Sequence, residues 1–256
     1  MKIGAVAQQK GGDGKSTTIV HLAFDFLERG LRVGVIDLDP QQNSTSTLRK
    51  FASDYTASKM FEPDSGDRLH AAFASLPEGP LVSLIAADDE MADVNKLPFK
   101  QIAGNFKANV QALSRYFDVV LIDTAPSLNA SLASALFAAD FVLSPIQMQK
   151  YSIDGIRKLL TVIGNMRKMN PKLQFLGMLP NMVDGRDPMQ MRNLAALKAK
   201  YEQLMIPIEI HRRGSIADAM ATGVPVWKIK KTTARPAAQE VRAVAAHVYE
   251  KMEIGA

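Results

Sequence analysis

Short apolar runs, many of them β-branched, recur along the chain at residues 3–7, 32–38, 81–86, 117–122, 141–146, 175–179 and 205–210. Most are continuous rather than alternating, which is the pattern of strands covered on both faces. Between many of them the apolar positions return with a helical period. In residues 16–29, for example, Ile19, Leu22, Ala23, Phe26 and Leu27 share one side. Residues 99–116, 128–138, 152–169, 189–204 and 235–252 read as helices on the same grounds. Strands alternating with helices predict an α/β fold: a doubly wound, mainly parallel β-sheet flanked by helices on both faces. Residues 54–80, punctuated by Pro63, Gly66, Pro77, Gly79 and Pro80, are expected to make surface loops with one short helix. No internal repeat, low-complexity tract or linker divides the chain, so residues 1–256 are expected to form a single domain.

Composition narrows the function classes. The chain has no cysteine, which excludes a disulfide framework, Cys-ligated zinc and a Cys-held iron–sulfur cluster. Apolar residues at 47% and charged residues at 22% are ordinary for a globular domain. No apolar run approaches the roughly 18 residues that a membrane-spanning helix needs. The N-terminal segment lacks the form of a secretory signal, and a cytoplasmic location is expected. The four histidines have no metal-ligand spacing and read as structural or exposed.

The formal net charge is +5, and it is concentrated. From Arg212 to Arg242 the basic residues Arg212, Arg213, Lys228, Lys230, Lys231, Arg235 and Arg242 face only Asp218 and Glu240, an excess equal to that of the whole chain. Such a patch suits the phosphates of nucleic acid, and equally a solvated face.

The strongest chemical signal is Lys10-Gly11-Gly12-Asp13-Gly14-Lys15-Ser16-Thr17, which follows the first strand and opens the first helix. At that place backbone N–H groups and a helix N-terminus converge on one anion, and glycines let the main chain wrap phosphates. Lys15 would reach the β- and γ-phosphates, and the Ser16 hydroxyl would ligate Mg²⁺. The plain P-loop pattern wants a glycine six residues before that lysine. Gln9 stands there instead, with a second lysine, Lys10, after it. Asp37 and Asp39 close the second strand two residues apart, on one side of its end, where they could hold metal-bound water and orient an attacking water. Asp123 ends another apolar strand in the Walker B manner and would bind Mg²⁺ through water.

KGGxGK[ST]T resembles the deviant Walker A motif of the ParA/MinD group of P-loop ATPases. The resemblance implies an ATPase using ATP and Mg²⁺. It implies that Lys10 reaches across a nucleotide-sandwich homodimer to the partner's phosphates. It also implies that Asp37 sits near the metal, that Asp39 positions the nucleophilic water, and that Asn181 meets the adenine edge, although a turn-forming asparagine is an equal reading of that position. Pro145 and Gln147 match the family's strand end and are assigned no chemistry. Three departures stand out: Asp13 where members usually carry a small apolar residue, Gln42 where the D-x-D-P-Q-G-N motif has glycine, and Ala125 where DTPPS has proline.

The ParA-type reading expects an ATP-dependent dimer that binds DNA without reading bases and moves DNA or other cargo. A ParB-like or cargo-adaptor protein would stimulate its hydrolysis. It would be nucleoid-associated when bound to ATP, and no separate N-terminal DNA-binding domain is expected. A MinD-like membrane positioner would need a basic amphipathic C-terminal helix. The last residues lack a basic face and carry Glu250 and Glu253. A nitrogenase-like or cluster-carrying relative needs cysteines and is excluded. A small-molecule P-loop enzyme remains as an alternative without a specific acceptor-site signal.

Overall fold

The structure, a computed structural model, describes residues 1–63, 66–149 and 152–254. Among these are seven strands: β1 (Lys2–Val6), β2 (Arg32–Asp37), β3 (Ala52–Thr56), β4 (Leu81–Ala86), β5 (Val119–Asp123), β6 (Phe141–Ile146) and β7 (Gln174–Pro180). They form one all-parallel sheet in the order β3-β4-β2-β5-β1-β6-β7. The longer helices are α1 (Lys15–Glu28), α2 (Asn43–Leu48), α3 (Gly66–Phe73), α4 (Met91–Val94), α5 (Phe99–Ala112), α6 (Ala130–Ala138), α7 (Ser152–Met169), α8 (Pro188–Tyr201), α9 (Gly214–Thr222) and α10 (Ala234–Lys251).

The continuous apolar runs are explained by two core layers. Along β5, Val119 and Leu121 join one layer with Ile19, Leu22 and Phe26 of α1 and Val241, Val244 and Val248 of α10. Val120 and Ile122 turn to the other, with Ile102, Phe106 and Val110 of α5 and Leu159 and Ile163 of α7. Period 2 within a strand covered on both sides leaves no polar position, so the run reads as unbroken apolar sequence. Helix ends follow local chemistry. Asp187 caps α8 by accepting from the backbone N–H groups of Met189 (2.8 Å) and Gln190 (3.3 Å), with Pro188 in the first turn.

Two expectations need correction. Residues 205–210 are not a strand: they touch β7 through an isolated bridge between Met178 and Met205, and a second bridge joins Val183 to His211. Pro207 lies between them and has no N–H to continue a ladder. Conversely, β3 lies partly inside the stretch taken for loop. It is an edge strand whose register shifts against β4, with Ala52 and Asp54 exposed and Tyr55 buried, so its apolar signal is faint.

α9 is joined to α2 by a close backbone approach. Gly223 caps α9 at φ +63°, and a Cβ there would lie 2.7 Å from the Thr47 carbonyl oxygen. Left-handed backbone and the absence of space both demand glycine. Gly223→Ala is expected to lower the unfolding free energy by about 2 kcal/mol, measured by urea denaturation; an unchanged midpoint would show that the α2–α9 contact yields freely.

Candidate functional site

The loop between β1 and α1 lies at the carboxyl end of an interior strand, beside the central β5, where ligands of open α/β sheets bind. Gly14 is the N-cap of α1 at φ +90°, and a Cβ on it would come within 2.0 Å of Asn181 Nδ2. The loop is held from outside: Asn181 Nδ2 donates to the Asp13 carbonyl at 2.7 Å, and Gln147 Nε2 to the Gly12 carbonyl at 2.8 Å. In a planar trans peptide the N–H opposes the carbonyl, so the amides of Asp13 and Gly14 face away from these braces. A row of inward amides is an anion cradle.

Lys15 is buried, and its Nζ donates to the Lys10 carbonyl at 3.4 Å. Burial pushes its pKa down, while the charges of Asp123, Asp39 and Asp13 hold it up. Ser16 and Thr17 follow on the first turn of α1, half-buried. Gly11 and Gly12 are exposed. Lys10 is half-buried, with Nζ on Gln149 Oε1 of its own chain. Asp13 is buried, and its Oδ1 has no hydrogen-bond partner among the described residues. Burial raises its pKa to about 6, against the pull of Lys10 and Lys15.

Asp37 and Asp123 are register partners at the ends of β2 and β5. Asp37 Oδ2 accepts from the Thr45 N–H and hydroxyl, both at 2.8 Å, and its Oδ1 accepts from the Asp39 N–H at 3.0 Å. Asp39 is buried just past the strand end and accepts from the Gln41 N–H at 3.0 Å. Asp123 Oδ2 accepts from Ser44 Oγ at 2.7 Å, and the Ser16 hydroxyl also lies against this carboxylate. Its Oδ1 is buried without a partner among the described residues. Both acids are pushed up in pKa, by burial first; Asp123 is raised further by the charge of Asp37, and Asp37 by that of Asp39.

These donors fit a magnesium ion. An unpaired, buried carboxylate oxygen beside a serine hydroxyl supplies hard oxygen ligands, with water and phosphate completing the shell. Asp37, expected near the metal, has its oxygens on Thr45 and the Asp39 N–H, and these hydrogen bonds shape the turn. That turn carries Gln42 at φ +56°, the N-cap of α2. The left-handed backbone explains why the family motif has glycine there.

The structure also brings in residues to which sequence reasoning gave no chemistry. Gln147 and Gln149 follow β6 and fold over the loop, and Ser44 and Thr45 reach back from α2 to the acids. A glutamine pair after a strand and a Ser/Thr-rich short helix carry no signal of their own. His21 belongs to the scaffold: Nδ1 meets the Thr17 carbonyl at 2.8 Å, Nε2 accepts from the Val226 N–H at 3.3 Å, and burial drives its pKa down to about 4.

Arg212, Lys228, Lys230, Lys231, Arg235 and Arg242 are exposed and Arg213 is half-buried. Three are engaged internally: Arg213 with Glu240 (2.5 Å), Lys231 with Asp218 (2.6 Å), and Arg242 with Asp25 (3.1 Å) and Glu28 (2.5 Å).

A family profile described as an AAA domain matches residues 1–175. Protein IncC of Escherichia coli is 52% identical over 254 residues, covering 99% of this chain and 70% of IncC. The chromosome-partitioning ATPase Soj of Thermus thermophilus is 32% identical over 257 residues, covering 97% of this chain and 96% of Soj. The chain belongs to the ParA/MinD family of P-loop ATPases. Its fold is that of Cyanothece McdA, solved with ATP, at a TM-score of 0.80 and 22% identity over 97% of this chain and 96% of that one. Other solved structures of this fold carry ADP or an ATP analogue with magnesium. As a member of this family the chain is an ATPase.

The raised pKa of Asp13 has a consequence for nucleotide. The carboxylate becomes ionised as pH rises through about 6, and would then repel a bound phosphate; as pH falls through that value it becomes neutral. Asp13→Asn is therefore expected to bind a fluorescent ATP analogue about tenfold more tightly than the wild type at pH 7.5, with the gap closing toward pH 5. Parallel affinity curves across that range would show that the side chain does not face the phosphates.

Proposed function

We propose that this protein is a partition ATPase of the ParA type: two copies clasp ATP face to face, the closed dimer binds DNA without base readout, and a partner protein triggers hydrolysis and release. One observation supports the coupling. Helix α1 begins in the phosphate loop with Lys15, and its other end, at Asp25 and Glu28, holds Arg242 and Trp227 of the basic C-terminal segment. One rigid rod thus joins the nucleotide to the cationic surface.

In this reading Lys15 and the loop amides bind the β- and γ-phosphates. Ser16 and the free oxygen of Asp123 hold Mg²⁺, which draws charge off the phosphates. Asp39 holds the attacking water. Asn181, whose side chain already braces the loop and lines a cavity with Thr17, Thr18, His21 and Ile210, stands beside the base. Lys10, resting on Gln149 in the single chain, turns to the partner's phosphates. ATP favours the DNA-binding state because it binds the dimer better than the open form. DNA affinity comes from phosphate neutralisation and falls steeply with salt. A ParB-like or cargo-adaptor protein is the expected stimulator. No described helix is long and apolar enough to cross a membrane. Residues 1–256 act as one unit, and in the ATP state the dimer rests on the nucleoid.

Co-sedimentation with DNA under ATP, ADP or neither, at two salt concentrations, tests the reading. ATP-dependent, salt-sensitive binding is the expected result; binding indifferent to nucleotide would overturn it. Lys10→Ala should keep ATP binding and lose the dimer by light scattering. Asp39→Ala should bind ATP, turn over at least about a hundredfold more slowly, and accumulate as dimer. A dimer in the first variant, or normal turnover in the second, would remove the role assigned to that residue.

A further inference from the structure

We infer that the DNA-contacting surface extends beyond the C-terminal segment to Arg49 and Lys50, which join Lys228 and Lys230 in one phosphate-binding strip. The inference rests on the DNA-binding reading above and deepens it.

The C-terminal patch is smaller in space than in sequence. Arg213, Lys231 and Arg242 spend their charge on Glu240, Asp218, Asp25 and Glu28. Part of that loss is made up by the 3-10 turn Arg49–Phe51 after α2, nearly two hundred residues away in the chain. Arg49 and Lys50 are both exposed there, between two anchors. Leu48 is fully buried, and Phe51 sits edge-on to Phe24 with ring centroids 6.1 Å apart.

Lys50 and Lys228 line the same crevice of about 150 Å³, together with Phe24, Leu27, Phe51, Val224 and Pro225. The Gly223–Thr47 approach, where even one methyl group would meet the carbonyl at 2.7 Å, joins the two segments that carry these lysines. Their spacing is therefore built in. Glu28 is the acid lining the crevice, and it is committed: Trp227 Nε1 donates to it at 2.8 Å and Arg242 at 2.5 Å. Burial, which pushes the Glu28 pKa up, is outweighed by those hydrogen bonds and by the charges of Arg242 and Lys228, so it stays ionised and paired. What remains facing outward is cationic. Lys50, an exposed residue, sets its ammonium over the Phe51 ring, with Nζ 5.0 Å from the centroid. Exposed cations beside an apolar floor suit a repeating polyanion met from outside. Duplex phosphates are that ligand.

The test is binding of a non-specific DNA duplex to the ATP-loaded protein across a salt series. Each phosphate contact contributes about 0.9 to the slope of log K against log salt. Arg49→Ala/Lys50→Ala should flatten the slope by up to about 2, as should Lys228→Ala/Lys230→Ala, with nucleotide affinity unchanged in both. Lys50→Arg should keep the wild-type slope, separating charge from folding. If the Lys228/Lys230 variant flattens the slope and the Arg49/Lys50 variant does not, the extension is wrong while the DNA reading stands; the crevice would then be free for an acidic peptide, which a peptide titration would reveal. If the wild type itself shows no salt-dependent binding, the DNA reading fails and the extension with it.

Discussion

The carboxyl ends of the central strands gather more charge than a dry site can keep. Asp13, Asp37, Asp39, Asp123 and Lys15 are all buried around one loop, and three of the acids have raised pKa values. Only Lys15 among them is cationic, and it too is pushed toward neutrality by burial. Charges in such a place are tolerated when hydrogen bonds or counterions complete them. Asp37 is completed by Thr45 and the Asp39 N–H; among the described residues Asp123 is completed on one oxygen only. An unfinished carboxylate beside an unfinished ammonium is the electrostatic form of a site awaiting a metal–phosphate pair. The rest of the fold serves to hold these groups together.

That requirement explains where the sequence was legible. A glycine loop, two acid-tipped strands and the apolar runs beneath them are constrained by backbone geometry and two-sided burial, and both leave marks in residue type. Val119 to Asp123 could be nothing but a buried strand ending in an acid. What escaped was of two kinds. β3 is an edge strand with one buried side chain, where packing hardly constrains residue type. Residues 205–210 have the composition of a strand, but Pro207 denies them a ladder. Composition reports burial there and says nothing about pairing.

The site was legible in its chemistry and not in its bracing. Lys15, Ser16 and Asp123 follow from what phosphate and magnesium demand. Gln147, Gln149, Ser44 and Thr45 brace Gly12, Lys10, Asp123 and Asp37 through hydrogen bonds that many residue types could supply. Asn181 shows both cases at once. Resemblance places it by the base, whereas its side chain here holds the loop through the Asp13 carbonyl and forbids a side chain at Gly14.

The charge patch teaches the opposite lesson. A count along the chain assumes that neighbours in sequence share a surface and that basic residues keep their charge. Folding breaks both assumptions. Asp25 and Glu28 on α1 take up Arg242, and Glu240 takes up Arg213, so part of the apparent excess is structural glue between α1, α10 and the turn before α9. The same packing lays Lys50 beside Lys228 across a crevice whose acid among the described residues, Glu28, is already bound. An electrostatic surface is thus a property of the packed helices, set by which ion pairs the core geometry permits. Its strength depends on the cations that geometry leaves over.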